Sequence, residues 1–91
     1  MIIDVTQEDI SNSRKLIPKL EGAPRGSSCP VALALKRITK HEWLVGVHNA
    51  YPGLVEENSG IRLPSHVQEF IIQFDSNLTA EPISFEFPID N

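Results

Sequence analysis

The sequence is poor in the residues that build cross-linked or metal-bound frameworks. It has one cysteine, Cys29, in 91 residues, so no disulfide can form within the chain. So few cysteines are typical of a protein in a reducing compartment. The three histidines and the cysteine follow no spacing known for metal ligands, and the chain has neither a Walker pattern nor a dinucleotide-binding fingerprint. We therefore expect no cofactor and no metal.

Long apolar runs and an excess of positive charge are also absent. No apolar run approaches the roughly 20 residues of a membrane-spanning helix, and the charge at Asp4 argues against a signal peptide. Lysine and arginine number 8 against 12 acids, a net charge of −4, whereas binding to a nucleic-acid backbone depends on clustered cations. We expect a soluble cytoplasmic protein that binds neither DNA nor a membrane.

The length allows one small hydrophobic core, so we treat residues 1–91 as a single domain. A domain of this size has a small margin of stability, and a homo-oligomer is therefore an open alternative to a monomer.

Charge is unevenly distributed along the chain. Residues 1–48 carry seven cations against five acids, whereas residues 49–91 carry one cation against seven acids. We therefore expect an anion to bind to residues 1–48, and a basic protein to bind to residues 49–91.

Hydrophobic periodicity predicts four strands and two helices. The strands are predicted at Ile2–Val5, 43–48, 61–63 and 83–89, and the helices at 30–40 and 64–74. This order, βαββαβ, is that of the ferredoxin-like split βαβ unit, an α+β fold with an antiparallel sheet and both helices on one face. A capping box at Thr6–Asp9 predicts one further helical turn through Ile10, and residues 11–28 form an irregular, basic segment.

A small-residue loop with one arginine leads into the helix at Pro30. The start of a helix offers unpaired N–H groups and a positive dipole end, which favour an anion. A phosphate site is therefore predicted at Arg25, Gly26, Ser27, Ser28 and Cys29. The alternative is an ordinary helix start with a serine cap. Lys36, Arg37 and Lys40 crowd the other end of this helix, where the dipole favours cations.

Four other side chains are candidates to contact the same ligand. Arg14 and Lys15 belong to the basic segment, Tyr51 is predicted in a loop, and Arg62 is predicted on a strand, facing away from the core. Arg62 can also pair with a nearby glutamate. A cysteine nucleophile assisted by a histidine would need Cys29 beside one of the three histidines, and no spacing predicts this. The sequence therefore favours a binding protein over an enzyme.

Three segments, Ser28–Arg37, Leu63–Asp75 and Glu81–Phe87, resemble a group of small uncharacterised proteins of bacteriophages and prophages. The resemblance implies a common fold and a phage accessory protein that acts in the cytoplasm of the infected host. Phage proteins of this size often counter host defence, and one strategy is a compact, often oligomeric sponge that sequesters a nucleotide immune signal. The resemblance thus suggests immune evasion by nucleotide binding.

The leading hypothesis is a non-catalytic protein that sequesters a phosphate-bearing small molecule such as a nucleotide-derived immune signal. The alternative is a protein–protein inhibitor whose acidic C-terminal half, including Glu81 and Glu86, covers a basic surface of a host defence or regulatory protein. A small hydrolase is a third reading, and it lacks the paired histidines or metal cluster that such chemistry requires.

Overall fold

The computed structural model describes residues 1–16, 27–53, 60–77 and 80–89. These residues form three helices and five strands, an α+β arrangement. In chain order they are β1 (Ile2–Val5), α1 (Gln7–Leu16), α2 (Pro30–Thr39), β2 (Trp43–Val45), β3 (Asn49–Pro52), β4 (Ile61–Arg62), α3 (Ser65–Asn77) and β5 (Ile83–Glu86). None of the described helices is long and apolar enough to cross a membrane.

The strands pair in two antiparallel ladders. β1 pairs with β5, so that Ile3 faces Phe85, and β2, β3 and β4 form a meander in that order. The predicted α+β class is confirmed. The described residues contain one helix and one strand more than the order βαββαβ, and their strands belong to two ladders instead of one sheet.

Helix α1 is longer than the sequence predicts. Its start is the predicted capping box, in which the Thr6 hydroxyl accepts from the Asp9 N–H and Asp9 Oδ2 accepts from the Thr6 N–H. The prediction that the helix ends at Ile10 was wrong, because α1 continues to Leu16. Its buried face includes the polar Ser13, whose hydroxyl donates to the Ser28 carbonyl at 2.6 Å. A serine on the inner face hides the apolar periodicity.

Helices α2 and α3 lie where the periodicity predicts them. Pro30 occupies the first turn of α2, and Lys40 ends it in the left-handed conformation with φ 66°. The preceding cap is Cys29, whose sulfur accepts from the Ala32 N–H at 3.4 Å. Helix α3 begins at Ser65 and continues slightly beyond Phe74, the end of its predicted apolar stripe.

Strand β3 is the element that the sequence prediction missed. Residues 49–60 were assigned to a connection, but Asn49–Pro52 pairs with both β2 and β4. Tyr51 therefore lies on a strand, and its assignment to a loop was wrong. Strand β3 buries Ala50 alone, so it lacks the alternating pattern that identifies a strand.

The core lies between the inner faces of both ladders and the helices. Phe87 is fully buried and contacts both Trp43 of β2 and Phe85 of β5, each with edge-to-face rings 5.7 Å apart. Phe87 therefore joins the two ladders. Leu35 of α2 and Phe74 of α3 are also completely buried, so all these elements share one apolar core.

Candidate functional site

Helices α1 and α2 run antiparallel, and their contacts set the geometry of the groove between them. Near the start of α1, Asp9 contacts Arg37 near the end of α2. Further along α1, Ser13 contacts Ser28, just before α2 begins. The last turn of α1 therefore lies beside the first half of α2.

A pocket of about 710 Å³ lies in the groove between these two helices. Positions 33, 36, 37 and 40 share one face of α2 and its cap, with the spacing i, i+3, i+4 and i+7. The complete lining is Asp9, Asn12, Lys15, Leu16, Leu33, Lys36, Arg37 and Lys40. It combines four cations with one carboxylate, one amide and two leucines. We call this pocket the α1–α2 groove.

Arg37 is the most strongly fixed of the four cations. Its Nη2 donates to Asp9 Oδ2 at 3.0 Å and to the Asp4 carbonyl at 2.7 Å, and its Nε donates to Asp9 Oδ1 at 3.4 Å. The Asp9 carboxylate is almost fully buried, and its hydrogen bond raises the pKa of Arg37 above the ordinary value for arginine. Arg37 thus stays charged and links α2 to α1 and β1.

The other three cations differ in their pairing. Lys36 Nζ lies 2.6 Å from the Glu42 carboxylate, with both side chains about half exposed, a setting in which an ion pair stabilises by ~1 kcal/mol at most. Lys15 and Lys40 are exposed and have no acidic partner among the described residues. The groove therefore has two lysines whose charge no described side chain neutralises.

The predicted anion site before α2 is more buried than the groove, and its described polar groups bond within the protein. Arg25 and Gly26 lie outside the described residues, so their role stays a prediction. Ser27 is half-buried, and Ser28 and Cys29 are buried. The Ser28 carbonyl and the Cys29 sulfur accept hydrogen bonds from the protein itself. These contacts favour the alternative of an ordinary helix start, but the expected serine cap was wrong, because the capping residue is Cys29.

Cys29 is not in the form that nucleophilic catalysis requires. Desolvation by burial raises the pKa of its thiol from 9.0 to about 11, and this outweighs the hydrogen bonds from the start of α2. The imidazoles of two histidines bond elsewhere, His48 to Gln68 and His66 to the Ser84 carbonyl. In the part of the chain that the structure describes, no group of three potential ligands can hold a metal ion.

The remaining predicted contact residues do not line one common pocket. Lys15 lines the α1–α2 groove, whereas Arg14, its exposed neighbour on α1, does not. Tyr51 is half-buried on β3, and Arg62 is exposed on β4 opposite Asn49. Of these four candidates, Lys15 alone belongs to the groove.

Three of the groove cations were visible in the sequence but were assigned to another role. Lys36, Arg37 and Lys40 were attributed to the dipole at the end of their helix. Their spacing places them on one face, which was a signal for a site. The sequence does not show that α1 lies against this face, because α1 was predicted to end at Ile10.

Comparisons of the chain with protein-family models, curated proteins and solved structures found no match. The functional argument therefore depends on the chemistry of the α1–α2 groove.

Proposed function

We propose that the protein binds a phosphate-bearing small molecule in the α1–α2 groove and sequesters it without catalysis. The observation that carries this proposal is the lining of the groove, in which Lys15 and Lys40 have no described acidic partner and two leucines supply apolar surface. Lysine is a common phosphate ligand because its ammonium group offers three donors and a localised positive charge.

The size of the groove supports a small ligand. Its volume of about 710 Å³ falls within the range of roughly 300–1,000 Å³ that is typical of small-molecule sites. Such sites combine apolar walls with a few polar groups that orient the ligand. Leu16 and Leu33 are suited to contact the organic part of a phosphate ester, and the lysines are suited to bind its charge.

Sequestration without turnover fits the groups that line the groove. Its titratable lining residues are one carboxylate and four cations, and the carboxylate of Asp9 already accepts hydrogen bonds from Thr6 and Arg37. A general base needs a free acceptor within reach of the proton it removes. The groove offers binding contacts and no free base among its described residues.

The resemblance to small phage and prophage proteins supports a setting for this activity. In the cytoplasm of an infected bacterium, such a protein would lower the free concentration of a nucleotide-derived immune signal. We propose this anti-defence role as the biological purpose of the groove.

The test is titration of the purified protein with a panel of adenine nucleotides, AMP, ADP and the dinucleotide pApA, by calorimetry. A member of the panel is expected to bind and to be recovered unaltered. Lys40→Ala should weaken binding by about 1.5–3 kcal/mol, the range for a charged hydrogen bond. Arg14→Ala is the matched control, because it removes an exposed cation from α1 outside the groove.

Equal affinity in Lys40→Ala and the wild type would place the ligand elsewhere. Turnover of a bound nucleotide would refute the non-catalytic part of the proposal. Native mass spectrometry of the same samples would report the number of subunits and the mass of bound ligand together.

The second candidate function is inhibition of a basic host protein, and one observation favours it. The outer face of the β1–β5 ladder presents Ile2, which is 55% exposed, opposite the exposed Glu86. The exposed carboxylate of Asp4 lies on the same face. An exposed apolar side chain among acidic groups is suited to a protein surface of opposite charge.

Salt-sensitive binding to a specific host protein, lost in Glu86→Lys, would support inhibition. Unchanged binding in that variant would exclude this face.

We also propose that the fold is a variant of the ferredoxin-like unit. The first and last strands pair antiparallel, and a helix precedes both β2 and β5. An experimental structure in which backbone hydrogen bonds join the two ladders into one sheet would support this relation, and two ladders without such bonds would refute it.

A further inference from the structure

We propose, on the basis of the function proposed above, that the ligand of the α1–α2 groove carries two separate phosphate groups joined by an organic spacer. This class of ligand differs from a compound with one phosphate and from one with two adjacent phosphates. The positions along the groove of Lys15 and Lys40, which have no acidic partner among the described residues, point to it.

Lys15 lies in the last turn of α1, and Lys40 caps the end of the antiparallel α2. At about 1.5 Å per helical residue, both contacts between the helices, Asp9 with Arg37 and Ser13 with Ser28, place the backbones of the two lysines more than roughly 10 Å apart along the groove. The two lysines therefore lie towards opposite ends.

The cations between these two ends are already paired. Lys36 has the Glu42 carboxylate at 2.6 Å, and Arg37 has the Asp9 carboxylate at 3.0 Å. Leu16 and Leu33 line the groove near the Lys15 end, because the end of α1 lies beside the first half of α2. Among the described residues, the groove thus has one unneutralised cation towards each end, with a neutralised pair of cations between them and apolar surface towards the Lys15 end.

A ligand with one phosphate towards each end of the groove can contact both lysines. A phosphate monoester carries about −1.5 to −2 charges at pH 7, so each end can receive one such group. A single phosphate would have to draw two long side chains together, which costs rotamer entropy and leaves the leucines uncovered. An organic spacer between two phosphates covers the two leucines.

The experiment compares three probes by calorimetry on the full chain. They are 1,6-hexanediol bisphosphate, hexyl phosphate and inorganic pyrophosphate. The first has two separated phosphates, the second has one on the same alkyl chain, and the third has two that are adjacent. We expect the bisphosphate to bind at least about tenfold more tightly than either of the others, as an added charged hydrogen bond would produce.

Substitutions of the two lysines test whether each one binds a phosphate of the ligand. Lys15→Ala and Lys40→Ala are each expected to lower the affinity for the bisphosphate to that for hexyl phosphate, and Arg14→Ala should leave it unchanged. Because the two lysines are far apart, their effects should multiply in the double variant. Lys40→Arg keeps the charge and should retain most of the affinity, which separates loss of a contact from damage to the fold.

The outcomes distinguish this inference from the proposed function. Hexyl phosphate or pyrophosphate binding as tightly as the bisphosphate would overturn the two-phosphate ligand and leave a phosphate site in the groove. Failure of all three probes and of the nucleotide panel would overturn both. Tighter bisphosphate binding that is unaffected by Lys15→Ala and Lys40→Ala would overturn the placement in the groove.

Discussion

At the scale of single residues, burial decides the protonation state of Cys29. The dipole at a helix start favours a thiolate, because it stabilises negative charge. The side chain is 5% exposed, and the loss of water dominates. Cys29 caps α2 as a neutral thiol, and its pKa is raised to about 11.

The raised pKa predicts a loss of stability in alkali. Because the folded-state pKa of about 11 lies above the unfolded value of 9.0, the thiol stabilises the fold below pH 9, and this contribution disappears as the pH rises through 11. In full it amounts to about 3 kcal/mol, since one pKa unit corresponds to about 1.4 kcal/mol, and about 2 kcal/mol of it is lost by pH 11. Urea unfolding at pH 8 and pH 11 measures it.

Cys29→Ser is the control, because a hydroxyl can still accept from Ala32 and does not titrate in this range. Its free energy of unfolding should fall less between the two pH values. Equal losses in the variant and the wild type would show that other groups cause the alkaline effect.

At the scale of elements, a close approach of two strands sets the position of β4. A Cβ added at Gly60 would lie 2.6 Å from the Cε1 atom of Tyr51 and 2.9 Å from the Cβ of Asn49. The absence of a side chain at Gly60 therefore allows β3 to pass close to the segment before β4. This contact joins two residues that the sequence prediction placed in one connection.

Gly60→Ala should lower the free energy of unfolding by about 1–3 kcal/mol, as expected for an added methyl group without space. Gly46→Ala is the matched control, since its nearest neighbour would be the Asn49 carbonyl at 3.7 Å, an ordinary contact. Chemical denaturation of both variants measures the difference. Equal stability of the two would mean that Tyr51 moves aside at little cost.

At the scale of the whole molecule, stability depends on the apolar core shared by both ladders and the helices. Ile72 and Phe74 are near neighbours on α3, yet Ile72 is 53% exposed and Phe74 is fully buried. The two positions therefore separate the contribution of core packing from that of the helix itself.

Phe74→Ala should destabilise the protein by about 3–5 kcal/mol, because it removes apolar contacts and leaves a cavity. Ile72→Ala should change the free energy of unfolding by less than ~1 kcal/mol, since it removes a side chain that is already half in solvent. Guanidinium denaturation, followed by Trp43 fluorescence, compares them. Similar losses of stability in both variants would contradict the placement of Phe74 in the core and of Ile72 at the surface.

The sequence determined the α+β class, the approximate bounds of α2 and the amphipathic stripe of α3, because these depend on local periodicity and on Pro30 in the first turn of α2. It did not reveal the full length of α1, where Ser13 occupies a buried position, or β3, which buries Ala50 alone. It also identified the basic side chains but not their grouping. Tertiary packing decided that Lys15 shares a groove with Lys36, Arg37 and Lys40. The physical reason is that the Asp9–Arg37 contact brings together two helices whose residues lie far apart in the chain.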